Sequence, residues 1–183
     1  MNGDHDSRPA AGSAAEATAS FTYSAAEDRI LGQFAQGGAG ATVLLTRRLV
    51  RQVIARLAQL LERSSPIAER APVMMRAEVV QFEHQSALAQ LATTNRPAPG
   101  TTGAAASQAT TLLIARVDLT PQPPGFVLVL SDAAGRNVTL RLQWQDLHRL
   151  VGALHRQACV AQWDLAEAVP WLAASSGSAA ATV

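Results

Sequence analysis

Two stretches of this chain spell the same order of elements: a strand, a glycine turn, a second strand, then an amphipathic helix. The first runs Arg29-Ile30-Leu31-Gly32-Gln33-Phe34, then Gly37-Gly38-Ala39-Gly40, then Thr42-Val43-Leu44-Leu45-Thr46. The second runs Phe126-Val127-Leu128-Val129-Leu130, then Asp132-Ala133-Ala134-Gly135, then Val138-Thr139-Leu140-Arg141-Leu142. A shift of 97 residues pairs Gly38 with Gly135 and Leu45 with Leu142. The same shift carries Val50, Val53, Ile54 and Leu57 onto Leu147, Leu150, Val151 and Leu154. This matched register predicts an internal duplication of a β-hairpin–helix unit. Unrelated hairpin–helix units share the same periodicity, so the pattern fixes the fold class more firmly than its origin. The expected class is α+β, an antiparallel sheet with packed helices.

The strands are apolar, β-branched runs bounded by turn residues. Phe126 to Leu130 is continuously apolar, which predicts a central strand covered on both faces. Thr111 to Leu119 reads as a further strand, with Pro121 to Gly125 as its turn. The helix over 47–63 places Leu49, Val50, Val53, Ile54, Leu57, Leu60 and Leu61 at spacings of three and four. Thr46 is its expected cap, and Ser64-Ser65-Pro66 its expected end. A second helix is expected over 72–91, with Met74-Met75 filling core beside Val73.

Three stretches are rich in Ala, Ser, Gly, Thr and Pro and lack periodicity. They divide the chain into a disordered tail (1–20), a first half with its extra helix (21–92), a flexible linker (93–109), a second half (111–172) and a second tail (173–183). No apolar run is long enough for a transmembrane helix, and a single cysteine rules out a disulfide framework. The acidic opening Asp4-His5-Asp6 and the free Cys159 fit a cytoplasmic protein. All fifteen basic residues are arginine, and alanine is in excess, as a GC-rich bacterial genome would favour. The formal charge of +1 excludes a bulk polycation that holds nucleic acid by charge alone.

The charge that exists is concentrated. Arg47, Arg48, Arg51, Arg56 and Arg63 lie on the first helix opposite its Leu/Val stripe, where Glu62 is the only acid. Guanidinium groups in that number suit phosphate or an acidic partner, or else pair with carboxylates elsewhere in the fold. On the second helix Glu78, Glu83 and His84 do not converge as an acid–base pair would. On the last helix His148, His155 and Cys159 share one face around Gly152. The two histidines stand two turns apart, which leaves His155 and Cys159 as weak candidates to share a metal.

The remaining chemistry is excluded by context. Gly37-Gly38-Ala39-Gly40 joins two strands, whereas a phosphate loop opens a helix. The chain has no lysine, no Gly-X-Ser-X-Gly and no paired cysteines. The unit order resembles, in architecture alone, some single-stranded nucleic-acid-binding folds, but those use basic and aromatic strand faces and these strands are mostly aliphatic. Trp144 opens a helix at an apolar position and reads as core. The sequence therefore predicts a non-enzymatic adaptor or assembly protein without cofactor. It would act through a protein partner or by homo-oligomerising. Nucleic-acid binding through the Arg47–Arg63 face is the alternative.

Overall fold

A computed structural model of the chain describes residues 18–36, 39–94, 110–165, 169 and 171–172. Six strands form one sheet in sequence order: β1 (Thr18–Ser24), β2 (Arg29–Gln36), β3 (Ala39–Thr46), β4 (Thr110–Gln122), β5 (Gly125–Asp132) and β6 (Asn137–Leu142). All neighbours pair antiparallel except β3 and β4, which are parallel. A parallel pair needs a crossover. Here α1 (Arg47–Ser64), α2 (Pro66–Arg70), a short 3₁₀ turn (Val73–Met75) and α3 (Arg76–Thr94) provide it, and α4 (Trp144–Val160) follows β6.

The α+β expectation is met, and each half is three strands followed by a helix. The sequence shift of 97 residues places α1 on α4, and β2 and β3 on β5 and β6, to within about a residue at most ends. The first half thus holds one more strand than expected: β1 begins at Thr18, inside the stretch read as a tail. Its Phe21 and Tyr23 alternate with Ser20, Thr22 and Ser24, so half of it looks like tail composition. The remainder of that tail, the Gly37-Gly38 turn, residues 95–109 and residues 173–183 lie outside the described residues. α3 extends to Thr94, two residues into the expected linker.

Cross-strand register puts Tyr23, Ile30 and Leu45 in one inward row, and Phe21, Gly32 and Val43 in the next. Leu128 with Leu140, and Leu130 with Val138, continue that face across β5 and β6. Within β4 the inward residues change phase. Leu112 and Ile114 are inward at the start, Val117 and Leu119 near the end, because a bulge between Ile114 and Arg116 inserts one residue. Without the bulge, Val117 and Leu119 would turn to the outer face.

α1 and α4 lie against each other on the inner face, and α3 packs on both of them. α4 also touches β1, β2 and β6, so the sheet curves until its two ends meet one helix. Val127 and Val129, on the opposite face of β5, are only half-buried. The expectation of a strand covered on both faces is corrected: the helices cover one face, and a continuous apolar run here reflects β-propensity as well as burial.

Local chemistry explains the helix ends. The Leu49 N–H donates to Thr46 Oγ1 at 3.4 Å, the expected cap. α1 ends where the Ser65 N–H reaches the Leu61 carbonyl and Pro66 follows. The same Ser65 starts α2 by accepting from the Ala68 N–H at 2.9 Å, so the expected break is a corner between two helices. The buried face of α1 comprises Val50, Val53, Ile54, Leu57, Ala58 and Leu61. Each large side chain there contributes ~1.5–3 kcal/mol by leaving water.

The C-terminal segment completes the core. Trp163 and Trp171 are buried, with their indole N–H groups bonded to Asp28 and Glu62 at 3.0 Å each. Trp144 is partly buried against the core, as its position suggested.

Met74 and Met75 are corrected outright. Met74 is 87% exposed, Val73 79% and Phe82 71%, with Ile67 also exposed. The 3₁₀ turn after Pro72 interrupts the helical repeat, so Val73, Met74 and Met75 precede α3 and none of them is buried. Large exposed apolar groups on one helix–turn–helix segment favour association. Light scattering on the wild type is expected to give a species that grows with concentration, and Met74→Glu/Phe82→Glu to give a monomer. A wild type that stays monomeric at high concentration would contradict this.

Candidate functional site

The register between β3 and β4 stops at Leu44 opposite Leu113, because β3 turns into α1 at Thr46. β4 runs on to Gln122 with β5 on one side only. Among the described residues no strand pairs with the other side of its second half. α1 runs beside that open edge at a distance, and the gap between them is a groove of about 610 Å³.

Six consecutive residues of β4, Ala115 through Thr120, line one wall. Successive side chains of a strand point to opposite faces. A wall containing all six is therefore the strand's edge, backbone included. The direction of the free groups follows from the far hairpin. The Asp132 N–H donates to the Arg136 carbonyl on the β6 side, so alternate residues of β5, including Ser131 and Val129, face β4. Their partners Arg116 and Asp118 spend their backbone groups on β5. Val117 and Leu119 therefore present N–H and C=O to the groove, and Pro121 presents a carbonyl alone.

The other wall is one stripe of α1. Gln52, Arg56, Gln59 and Arg63 form its lip, and Leu49, Val53, Leu57 and Leu60 its lower side. The spacings of three and four that bury the helix also carry this second row along its flank. Leu128 closes the floor with Val117 and Leu119. Arg116 stands on the sheet side, paired with Asp118 at 2.7 Å, and this carboxylate raises the Arg116 pKa further. The groove thus combines an apolar floor, an open hydrogen-bonding edge and a cationic rim.

The five arginines singled out in the sequence do not form one face. All five are exposed, but only Arg56 and Arg63 line the groove. On an ideal helix these two lie within ~20° of each other, and Arg47, Arg48 and Arg51 lie on the other flank of the buried stripe. Glu62 accepts from the Trp171 indole and so points away from the arginine rim. Arg116 joins the site from the second half of the chain. Sequence spacing gave no sign of it, because the bulge and the end of β3 place it there.

The stripe of His148, His155 and Cys159 also divides. Cys159 Sγ lies 3.7 Å from His155 Nε2, and among the described residues no group of three or more His, Cys, Asp or Glu side chains is placed to hold a metal ion. Burial and the neighbouring Arg156 lower the His155 pKa. His148 turns instead toward α3 and meets His84, Nδ1 to Nδ1, at 3.4 Å. Both rings are buried, and Trp171 and Trp144 pack on them edge-on. Gly152 makes this approach possible: a Cβ there would lie 2.9 Å from Leu88 Cδ2 and 3.4 Å from His84 Cε1. Burial lowers both histidine pKa values to about 4, and mutual repulsion adds to it for His84. At neutral pH both are uncharged, and one Nδ1–H donates to the other Nδ1.

Comparison with protein-family descriptions, functionally described proteins and solved structures gives no match to the chain. Among the described residues, no helix is long and apolar enough to cross a membrane.

Proposed function

We propose that the chain is a non-enzymatic protein-interaction module that seats an acidic segment of a partner protein in the groove between α1 and β4. One observation carries this reading: an apolar floor of Val53, Leu57, Val117, Leu119 and Leu128 lies under a rim bearing Arg56, Arg63 and Arg116, with Asp118 as its acid. Apolar floors with a few placed polar groups suit ligand recognition, and a cationic rim selects and steers acidic ones. A phosphate backbone needs the charge and leaves the apolar floor unused. The floor therefore favours protein over nucleic acid.

Fluorescence anisotropy at low salt tests this with three labelled probes: an alternating Glu/Val heptapeptide, its Lys/Val counterpart, and a single-stranded oligonucleotide. The Glu/Val peptide is expected to bind and the Lys/Val peptide not to. Arg56→Glu/Arg63→Glu is expected to weaken binding at least tenfold, and Arg47→Glu/Arg48→Glu to change it less than threefold. Tight oligonucleotide binding that depends on Arg47 and Arg48 would replace this reading with nucleic-acid recognition.

A further inference from the structure

We infer that the groove takes its partner as an added β-strand, hydrogen-bonded to the second half of β4. This rests on the reading above and specifies how the acidic segment is held. Among the described residues, the α1 side of β4 beyond Leu113 is a sheet edge with no strand paired to it. Val117 and Leu119 offer both backbone groups there, spaced by two residues, which matches the hydrogen-bonding repeat of an incoming strand. Six residues of strand span ~20 Å, enough for a heptapeptide to lie along the edge.

The surroundings restrict what enters. α1 stands as a wall over the edge, so another sheet cannot approach, and Pro121 ends the run of donors. A single extended segment fits. Its side chains alternate between the apolar floor and the rim, which carries Arg56 and Arg63 on α1 and Arg116 on β4. The segment that matches is one alternating apolar and acidic residues. A helix, whose backbone groups are used internally, would leave the Val117 and Leu119 groups without partners.

N-methylation separates this mode from simple charge attraction. In a strand, side chains on one face share one direction of backbone hydrogen bonding. Methylating all the valine amides of the Glu/Val heptapeptide therefore blocks one edge of it, and methylating the glutamate amides blocks the other. Binding of both forms to the full-length chain is measured by anisotropy, with the Arg56→Glu/Arg63→Glu variant as control. One methylated set is expected to lose at least tenfold in affinity and the other less than threefold. Equal effects of the two sets, with binding of the parent peptide still dependent on Arg56 and Arg63, would overturn strand addition and leave the acidic-segment reading standing. Failure of the parent peptide to bind would overturn both.

Discussion

Lowering the pH from 7 to 4 is expected to destabilise the fold by ~3 kcal/mol or more through the His84–His148 pair. Both are held to a pKa of about 4 in the folded chain, against 6.5 when exposed. A base whose pKa is depressed by folding binds more protons when unfolded. Its neutral form is therefore fully tolerated above pH 6.5, and stability falls as the pH drops from there toward 4. The two sites are coupled through one 3.4 Å contact, so the second proton costs more than the first. Small domains have ~5–15 kcal/mol in all, which makes this pair a major term. Urea unfolding followed at several pH values is expected to show a steep loss between pH 6.5 and 4. His148→Phe should flatten that slope even if it changes stability at neutral pH. A wild-type stability that is level across this range would show that the rings are not buried together.

Removing Trp163 is the second large effect. Its ring is 5% exposed and packs edge-to-face on Tyr23 at 5.8 Å. Its indole N–H shares the Asp28 carboxylate with the Tyr23 hydroxyl, which donates at 2.9 Å. That bond raises the Tyr23 pKa, and the Tyr23 backbone N–H reaches Gln157 on α4. Asp28 itself sits at a φ of 48°, in the left-handed region, so the turn depends on these partners. Trp163→Ala is expected to cost ~3–5 kcal/mol, the usual range for a large buried aromatic. Trp163→Phe keeps most of the packing and is expected to cost ~1 kcal/mol, through the lost indole hydrogen bond to Asp28, whose oxygen still accepts from Tyr23. Thermal or chemical denaturation measures both. Equal, small effects would mean that the first hairpin is not anchored to α4 through this residue.

Periodicity made α1 and α4 legible, because their apolar residues recur every three or four positions and Thr46 marks a start. The hairpin of β5 and β6 was equally visible from its Asp132–Gly135 turn. β1 was hidden by composition: Thr and Ser occupy its outward positions, and only Phe21 and Tyr23 mark the inner ones. The Met74–Met75 pair misled because a methionine reads as core filler unless the preceding turn breaks the helical repeat. Half of the candidate site, Arg56 and Arg63, was visible as charge on a helix. The other half was not, since an open strand edge arises from β3 being shorter than β4 and from a one-residue bulge, neither of which has a composition signature. The His84–His148 pair joins residues 64 positions apart on different helices. Reading each helix singly set His148 beside His155, and only Gly152, a gap in an otherwise bulky face, hinted that another helix comes close.

Amide hydrogen exchange on the full-length chain, with and without saturating Glu/Val heptapeptide, addresses the open edge of β4 directly. The Asp118 and Thr120 amides, already bonded to β5, should exchange slowly in both states and serve as internal references. The Val117 and Leu119 amides should exchange fast in the free chain and slow by at least tenfold when the peptide is bound. Unchanged exchange at Val117 and Leu119, with protection or chemical-shift changes confined to the start of α1 around Arg47 and Arg48, would contradict the account.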